Sequence, residues 1–117
     1  MTIQVYGIPN CDTVKKARKW LDAQGLEYTF HDYKKEGVDR ANLERWADNC
    51  GWEVLLNRRG TTFRKLDDAD KADIDRDKAI ALMEEHTSMI KRPVAELDGG
   101  NRTLVGFAQS EWENTFC

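Results

Sequence analysis

Apolar and polar residues alternate at the start of the chain, where Gln4 separates Ile3 from Val5, and the alternation stops at Gly7 and Pro9. A period of two predicts a short strand, and the Gly/Pro pair marks its end. The spacing then changes. Val14, Ala17 and Leu21 recur at i, i+3 and i+7, which predicts an amphipathic helix starting just after Cys11. Asp12 or Thr13 is placed to cap that helix, and Gly25 to stop it at C′. Residues 26–33 (LEYTFHDY) alternate again and are rich in β-formers, so they are predicted to be a second strand. A strand, a helix-length crossover and another strand imply a parallel βαβ unit.

The middle third reads as helical and charged. Residues 34–37 are expected to be a mobile connection, after which Asp39 caps a helix with Leu43, Trp46, Ala47 and Cys50 on one apolar face and Gly51 at its end. That position makes Cys50 a structural thiol, because buried cysteine usually behaves as a small hydrophobe. Residues 52–56 continue apolar into NRRGTTFRKL, a turn carrying Arg58, Arg59, Arg64 and Lys65. From Asp67 to Glu85 helical spacing returns, with Ile74, Ala79, Leu82 and Met83 as the buried side. Asp73, Asp75, Asp77, Ile80 and Glu84 fall near the offsets of a calcium-binding loop. Lys78, however, stands where such a loop needs glycine, and the segment is full of helix formers, so the aspartates are expected to cap helices instead.

Strand signals return late. Val94–Leu97, a glycine turn at residues 98–101 and Thr103–Phe107 predict an antiparallel hairpin, and Ser110 is placed to cap a last helix bearing Trp112 and Phe116. His31 falls on the polar side of its strand and His86 at a helix end, neither with a metal-ligand companion. The order is therefore β-α-β, a helical segment, then β-β-α. It predicts an α/β, thioredoxin-like fold with a mixed four-stranded sheet, built as one domain. The core would take residues 1–33 and 88–117, with a helical insertion at 34–87.

Composition narrows the function classes. At 117 residues the chain is long enough for one core without staples. A net charge of −3 with both signs interleaved gives no support for nucleic-acid or membrane partners. The start of the chain lacks a signal-peptide pattern, no apolar run approaches a membrane span, and three cysteines fit neither a disulfide framework nor a zinc pattern. The expectation is a cytoplasmic monomer with reduced thiols. Cys117, at the end of the chain, could in principle resolve a Cys11 disulfide, although a terminal thiol more often frays in solvent, and the sequence leaves its role open.

Candidate chemistry centres on Cys11. A thiol at a helix start faces unpaired backbone N–H groups and the positive end of the helix dipole, both of which favour thiolate over thiol. The alternative is core filler, yet strand, Gly/Pro turn, cysteine and capped helix together point to a nucleophile. In a thioredoxin-like fold the loop before the third strand, here Lys91-Arg92-Pro93, lies beside that cysteine.

Three stretches carry a family resemblance: YGIPNCDTVKKA from Tyr6, LNRRGTTFRKL from Leu56 and IKRPV from Ile90. Together they closely resemble the arsenate-reductase-related (ArsC-like) family, in its Spx and YffB branch, over essentially the whole chain. The resemblance implies a thioredoxin-like fold, a single nucleophilic cysteine at Cys11, and arginines that grip an oxyanion or a thiol partner such as glutathione. By motif, Arg59 matches the first oxyanion arginine and Arg92 precedes the loop proline, Pro93. Asn10, Thr13 and the first-turn amides would stabilise the sulfur anion. Two departures bear on substrate. Gly7 stands where true arsenate reductases carry a histidine, and Phe107 falls where their third arginine belongs. Losing one such arginine removes a charge-assisted contact of about 1.5–3 kcal/mol if buried. Val14 occupies the partner position of the Cys-x-x-Cys switch usual in Spx, so a two-cysteine mechanism at this site is excluded. The expected activity is a monothiol redox enzyme with glutathione as co-substrate, no tightly bound cofactor and no metal. The alternatives are an Spx-like module that binds RNA polymerase, without catalysis, and residual arsenate reduction.

Overall fold

In the computed structural model, which describes residues 3–97, 100 and 102–116, the alternating segments become β1 (Ile3–Gly7), β2 (Thr29–Asp32), β3 (Val94–Leu97) and β4 (Arg102–Val105). They form one mixed sheet of order β2-β1-β3-β4. β1 runs parallel to β2, with Gly7 opposite Asp32, and antiparallel to β3, with Tyr6 opposite Val94. β3 and β4 make the antiparallel hairpin, although residues 98, 99 and 101 of its turn lie outside the described residues, as does Cys117.

Helix α1 (Asp12–Ala23) crosses between β1 and β2. It ends as predicted at Gly25, whose φ is +70°. The Gly25 N–H bonds the Asp22 carbonyl and the Leu26 N–H bonds the Leu21 carbonyl, both at 3.1 Å, which satisfies the last carbonyls of the helix in a Schellman arrangement. Strand β2 is shorter than the alternation suggests. Asp32 ends it: its Oδ1 accepts the N–H groups of Lys34 and Lys35 at 3.1 and 3.3 Å, turning the chain into the single turn α2 (Tyr33–Glu36). Tyr33 is thus helical rather than strand, and most of the supposed mobile connection is a capped turn.

The chain divides into two compact units, Met1–Glu36 with Arg92–Cys117, and Gly37–Lys91. The first holds the sheet. Ile3, Val5, Ala95, Leu97 and Leu104 pack with Ala17, Trp20 and Leu21 of α1 and with Trp112 and Phe116 of the last helix, α8 (Gln109–Phe116). Trp112 meets Trp20 and Phe116 edge to face, with centroids at 6.2 and 5.5 Å. α8 begins one residue before Ser110, because the Ala108 carbonyl already accepts from the Trp112 N–H. His31 has a structural place: its ring stacks on Tyr6 at 4.6 Å and its Nε2 lies 2.6 Å from Gln4 Oε1.

The second unit is helical: α3 (Arg40–Cys50), α4 (Trp52–Leu55), α5 (Thr61–Arg64), α6 (Asp68–Lys71), α7 (Arg76–Glu85) and a 3-10 turn, Thr87–Met89. Leu43, Trp46, Leu55, Leu56, Ile80, Met83, Met89 and Ile90 are its large buried residues. The helix expected over residues 67–85 is broken. Asp73 adopts φ +50°, and the Asp75 carboxylate caps α7 by accepting the Lys78 N–H at 2.9 Å. Ile74 therefore lies outside any helix and is half-buried, while Ile80 is fully buried in α7. Lys78 Nζ donates to the Ala69 carbonyl at 2.8 Å and so ties α7 back to α6. Residues 87–91 stay with this unit because Asn57 N–H bonds the Met89 carbonyl and Lys91 N–H the Leu55 carbonyl, at 2.7 and 2.8 Å. Cys50 closes α3 half-buried, less enclosed than its place on the apolar face suggested.

Candidate active site

Sheet topology decides where the site forms. Because β1 and β2 are parallel, their C-terminal ends share one edge of the sheet; because β3 is antiparallel to β1, its N-terminal end lies at that edge too. Three segments therefore converge there: the loop after Gly7, the residue after Asp32 and the residues before Val94. They carry Cys11, Tyr33 and Arg92.

The loop after β1 is a tight turn. Cys11 N–H donates to the Ile8 carbonyl at 3.1 Å, with Pro9 and Asn10 at the two corner positions. Proline suits the first corner because its ring presets φ. The turn leaves Cys11 extended, at φ −85° and ψ 128°, and its carbonyl accepts the Lys15 N–H at 2.9 Å as the first bond of α1. Cys11 is thus itself the N-cap residue. Neither Asp12 nor Thr13 caps the helix as expected, since the turn hydrogen bond fixes the start one residue earlier, and Asp12 lies in the first helical turn.

The Cys11 side chain makes no capping hydrogen bond, yet its sulfur lies close enough to the first-turn amides for them to act on its charge. Partial burial works against its ionisation, but the Val14 amide, the Arg92 guanidinium and the Thr13 amide outweigh it and hold the thiol below its ordinary pKa. Thr13 contributes through its backbone, and Asn10 sits exposed at the turn corner.

Arg92 precedes a cis peptide bond to Pro93, which is buried and whose carbonyl accepts the Gly106 N–H at 2.8 Å. The half-buried guanidinium bonds both the Tyr33 hydroxyl and the Cys11 sulfur. Burial alone would favour its neutral form, yet these two partners raise its pKa and keep it charged. Tyr33 is 1 % exposed, and that burial pushes its pKa up; Arg92 opposes the shift without cancelling it, so the phenol keeps its proton. Sequence reasoning missed Tyr33. Its signal was available: it follows a strand parallel to β1, and the C-terminal ends of parallel strands are where sites form.

Arg59 belongs to the second unit, exposed on the basic turn, where its N–H donates to Asn57 Oδ1 at 3.2 Å. Phe107 packs edge to face on Trp112 at 5.0 Å and tilted on Trp20 at 6.2 Å, so the side chain at the third-arginine position is partly buried against the aromatic core. At Gly7 an added Cβ would lie 2.8 Å from Val14 Cγ2, which leaves no room for a histidine. Iodoacetamide near neutral pH, followed by peptide mass, should label Cys11 well before Cys50; equal rates in the folded protein would contradict the thiolate assignment.

A thioredoxin-like sheet, a thiol at a helix N-cap and a cis-proline loop beside it define a protein of the thioredoxin-like class. The chain belongs to the ArsC family, whose model matches residues 6–115. It is 55 % identical to a protein described as YFFB, covering 98 % of this chain and 99 % of that one, with a TM-score of 0.94. It is 43 % identical to a protein of Haemophilus influenzae over 98 % of this chain and 99 % of the relative. More distant relatives bear functional names. An arsenate reductase of Rhizobium meliloti is 30 % identical, over 87 % of this chain and 74 % of its own. A global transcriptional regulator Spx of Streptococcus mutans is 27 % identical, over 88 % of this chain and 74 % of its own. Among the described residues no helix is long and apolar enough to cross a membrane.

Proposed function

We propose that the chain is a monothiol redox enzyme that uses glutathione. The observation that carries this reading is Cys11 at the N-cap of α1, with Arg92 on its sulfur and a fully buried Val14 where a second cysteine would stand. In the first step the Cys11 thiolate attacks one sulfur of a disulfide. The S–S bond breaks, a thiolate departs, and Cys11 is left in a mixed disulfide. Where the captured group is glutathione, a glutathione thiolate then attacks its sulfur. Glutathione disulfide leaves and the Cys11 thiolate returns, so each glutathione mixed disulfide consumes one free glutathione and yields one reduced thiol and one glutathione disulfide. Arg92 is proposed to grip a carboxylate or an oxyanion of the partner, as a guanidinium fork suits those shapes. The named arsenate reductase relative supports thiol redox chemistry in general.

Arsenate itself fits less well, because Gly7 and Phe107 replace two cationic positions and the core occupies both places. In an assay coupled to glutathione oxidation, the native protein should reduce a glutathione mixed disulfide and show negligible arsenate turnover, and Cys11→Ser should abolish the first activity. Robust arsenate reduction by the native protein would make it an arsenate reductase instead. The Spx relative favours a second reading, a module that binds RNA polymerase. Recovery of polymerase in a pull-down, with no thiol transfer, would support that one.

A further inference from the structure

Tyr33 has no place in the chemistry so far, yet its phenol is among the most enclosed polar groups at this edge of the sheet. The side chain is 1 % exposed, in a turn held by the Asp32 cap and one residue beyond the Gly7–Asp32 register. Its hydroxyl oxygen accepts from the Arg92 guanidinium, and the same guanidinium reaches the Cys11 sulfur. A long, half-buried arginine has many rotamers, and solvent competes for its N–H groups. A buried acceptor on one side of the fork restricts it to those that keep the other side on the thiolate.

We propose that Tyr33 is a positioning residue for the thiolate: its hydroxyl anchors the Arg92 guanidinium on the Cys11 sulfur. The inference rests on Cys11 acting as the nucleophile. The phenol serves as an acceptor because it stays neutral, with its own proton in place, and a neutral oxygen beside a guanidinium costs the arginine none of its charge. A carboxylate there would fix Arg92 too, but would compete with the thiolate for its positive field. Phenylalanine would fill the same volume and release the fork.

The test is the pH dependence of Cys11 alkylation in the full chain, native, Tyr33→Phe, Arg92→Ala and the double variant. Tyr33→Phe should raise the pH midpoint and lower the thiolate fraction at neutral pH by about threefold, with its folded circular dichroism unchanged. In the Arg92→Ala background the same change should shift the midpoint no further, since the phenol acts only through the arginine. A merely structural tyrosine would leave the midpoint of the folded protein unmoved, and that result would overturn the proposal. So would an equal, additive shift in both backgrounds. A native midpoint at the value of free cysteine would instead overturn the nucleophile assignment itself, and with it the need for an anchor. Because the readout is the thiol's ionisation, it is independent of whether glutathione is the physiological thiol.

Discussion

Arg92→Ala is expected to raise the pH midpoint of Cys11 alkylation and to slow thiol transfer at neutral pH by about tenfold. Three groups hold the thiol below its ordinary pKa against partial burial, and Arg92 is the only one of them that carries a formal charge. A hydrogen bond to a charged group contributes about 1.5–3 kcal/mol, and each 1.36 kcal/mol of differential stabilisation moves a pKa by one unit. The sign follows from the charge. The thiolate is the stabilised form, so removing the guanidinium raises the pKa and shifts neutral-pH protein towards the unreactive thiol. The loss in rate should be smaller than the loss in thiolate fraction, because a more basic thiolate is also a better nucleophile. Arg92→Lys should recover only part of the effect, since an ammonium keeps the charge but not a planar fork able to hold Tyr33 and Cys11 together. An unchanged midpoint in a folded Arg92→Ala protein would show that the helix amides alone support the thiolate.

The second large effect is steric. Gly7→Ala should destabilise the protein by about 2 kcal/mol, lowering its Tm by about 10 °C, because the new Cβ would meet Val14 Cγ2 at 2.8 Å. Val14 has little freedom to retreat: it is fully buried and β-branched, and the first turn of α1 pins its rotamer. Adding Val14→Ala should therefore recover part of the loss, and a thermal melt of the single and double variants measures that coupling. A Gly7→Ala protein that melts within a degree of native would contradict the packing argument. The same contact links the two departures from the family pattern around Cys11. Val14, which stands where Spx carries its second cysteine, also lies against the Cβ that any side chain at position 7 would add.

Most of the fold was legible because each local signal had a single physical reading. Alternation in Ile3–Gly7, the i, i+3, i+7 spacing of α1 and the left-handed glycine at 25 agree with one another, and the parallel β1–β2 pairing follows from the helix between them. The errors fall where a side chain overrides a period. Asp32 captures two amides and turns Tyr33 out of a strand whose alternation includes it. Asp73 and Asp75 break a run of helix formers by a left-handed residue and a cap, neither of which has an apolar signature. At the site, Cys11 and Arg92 could be read from motifs, whereas Tyr33 becomes visible only once the strands are known to be parallel. Phe107 shows the reverse case: alignment to a motif gave it an arginine's position, and packing with Trp20 and Trp112 gives it a role in the core.

The central claim is that Cys11 is the nucleophile of a glutathione-linked monothiol cycle, and mapping its adduct tests that most directly. Native protein incubated with glutathione disulfide at neutral pH is predicted to carry one glutathione, on the peptide containing Cys11. Added glutathione should remove it, and Cys11→Ser should not acquire it. An unmodified Cys11, with glutathione on Cys50 or Cys117 instead, would contradict the account.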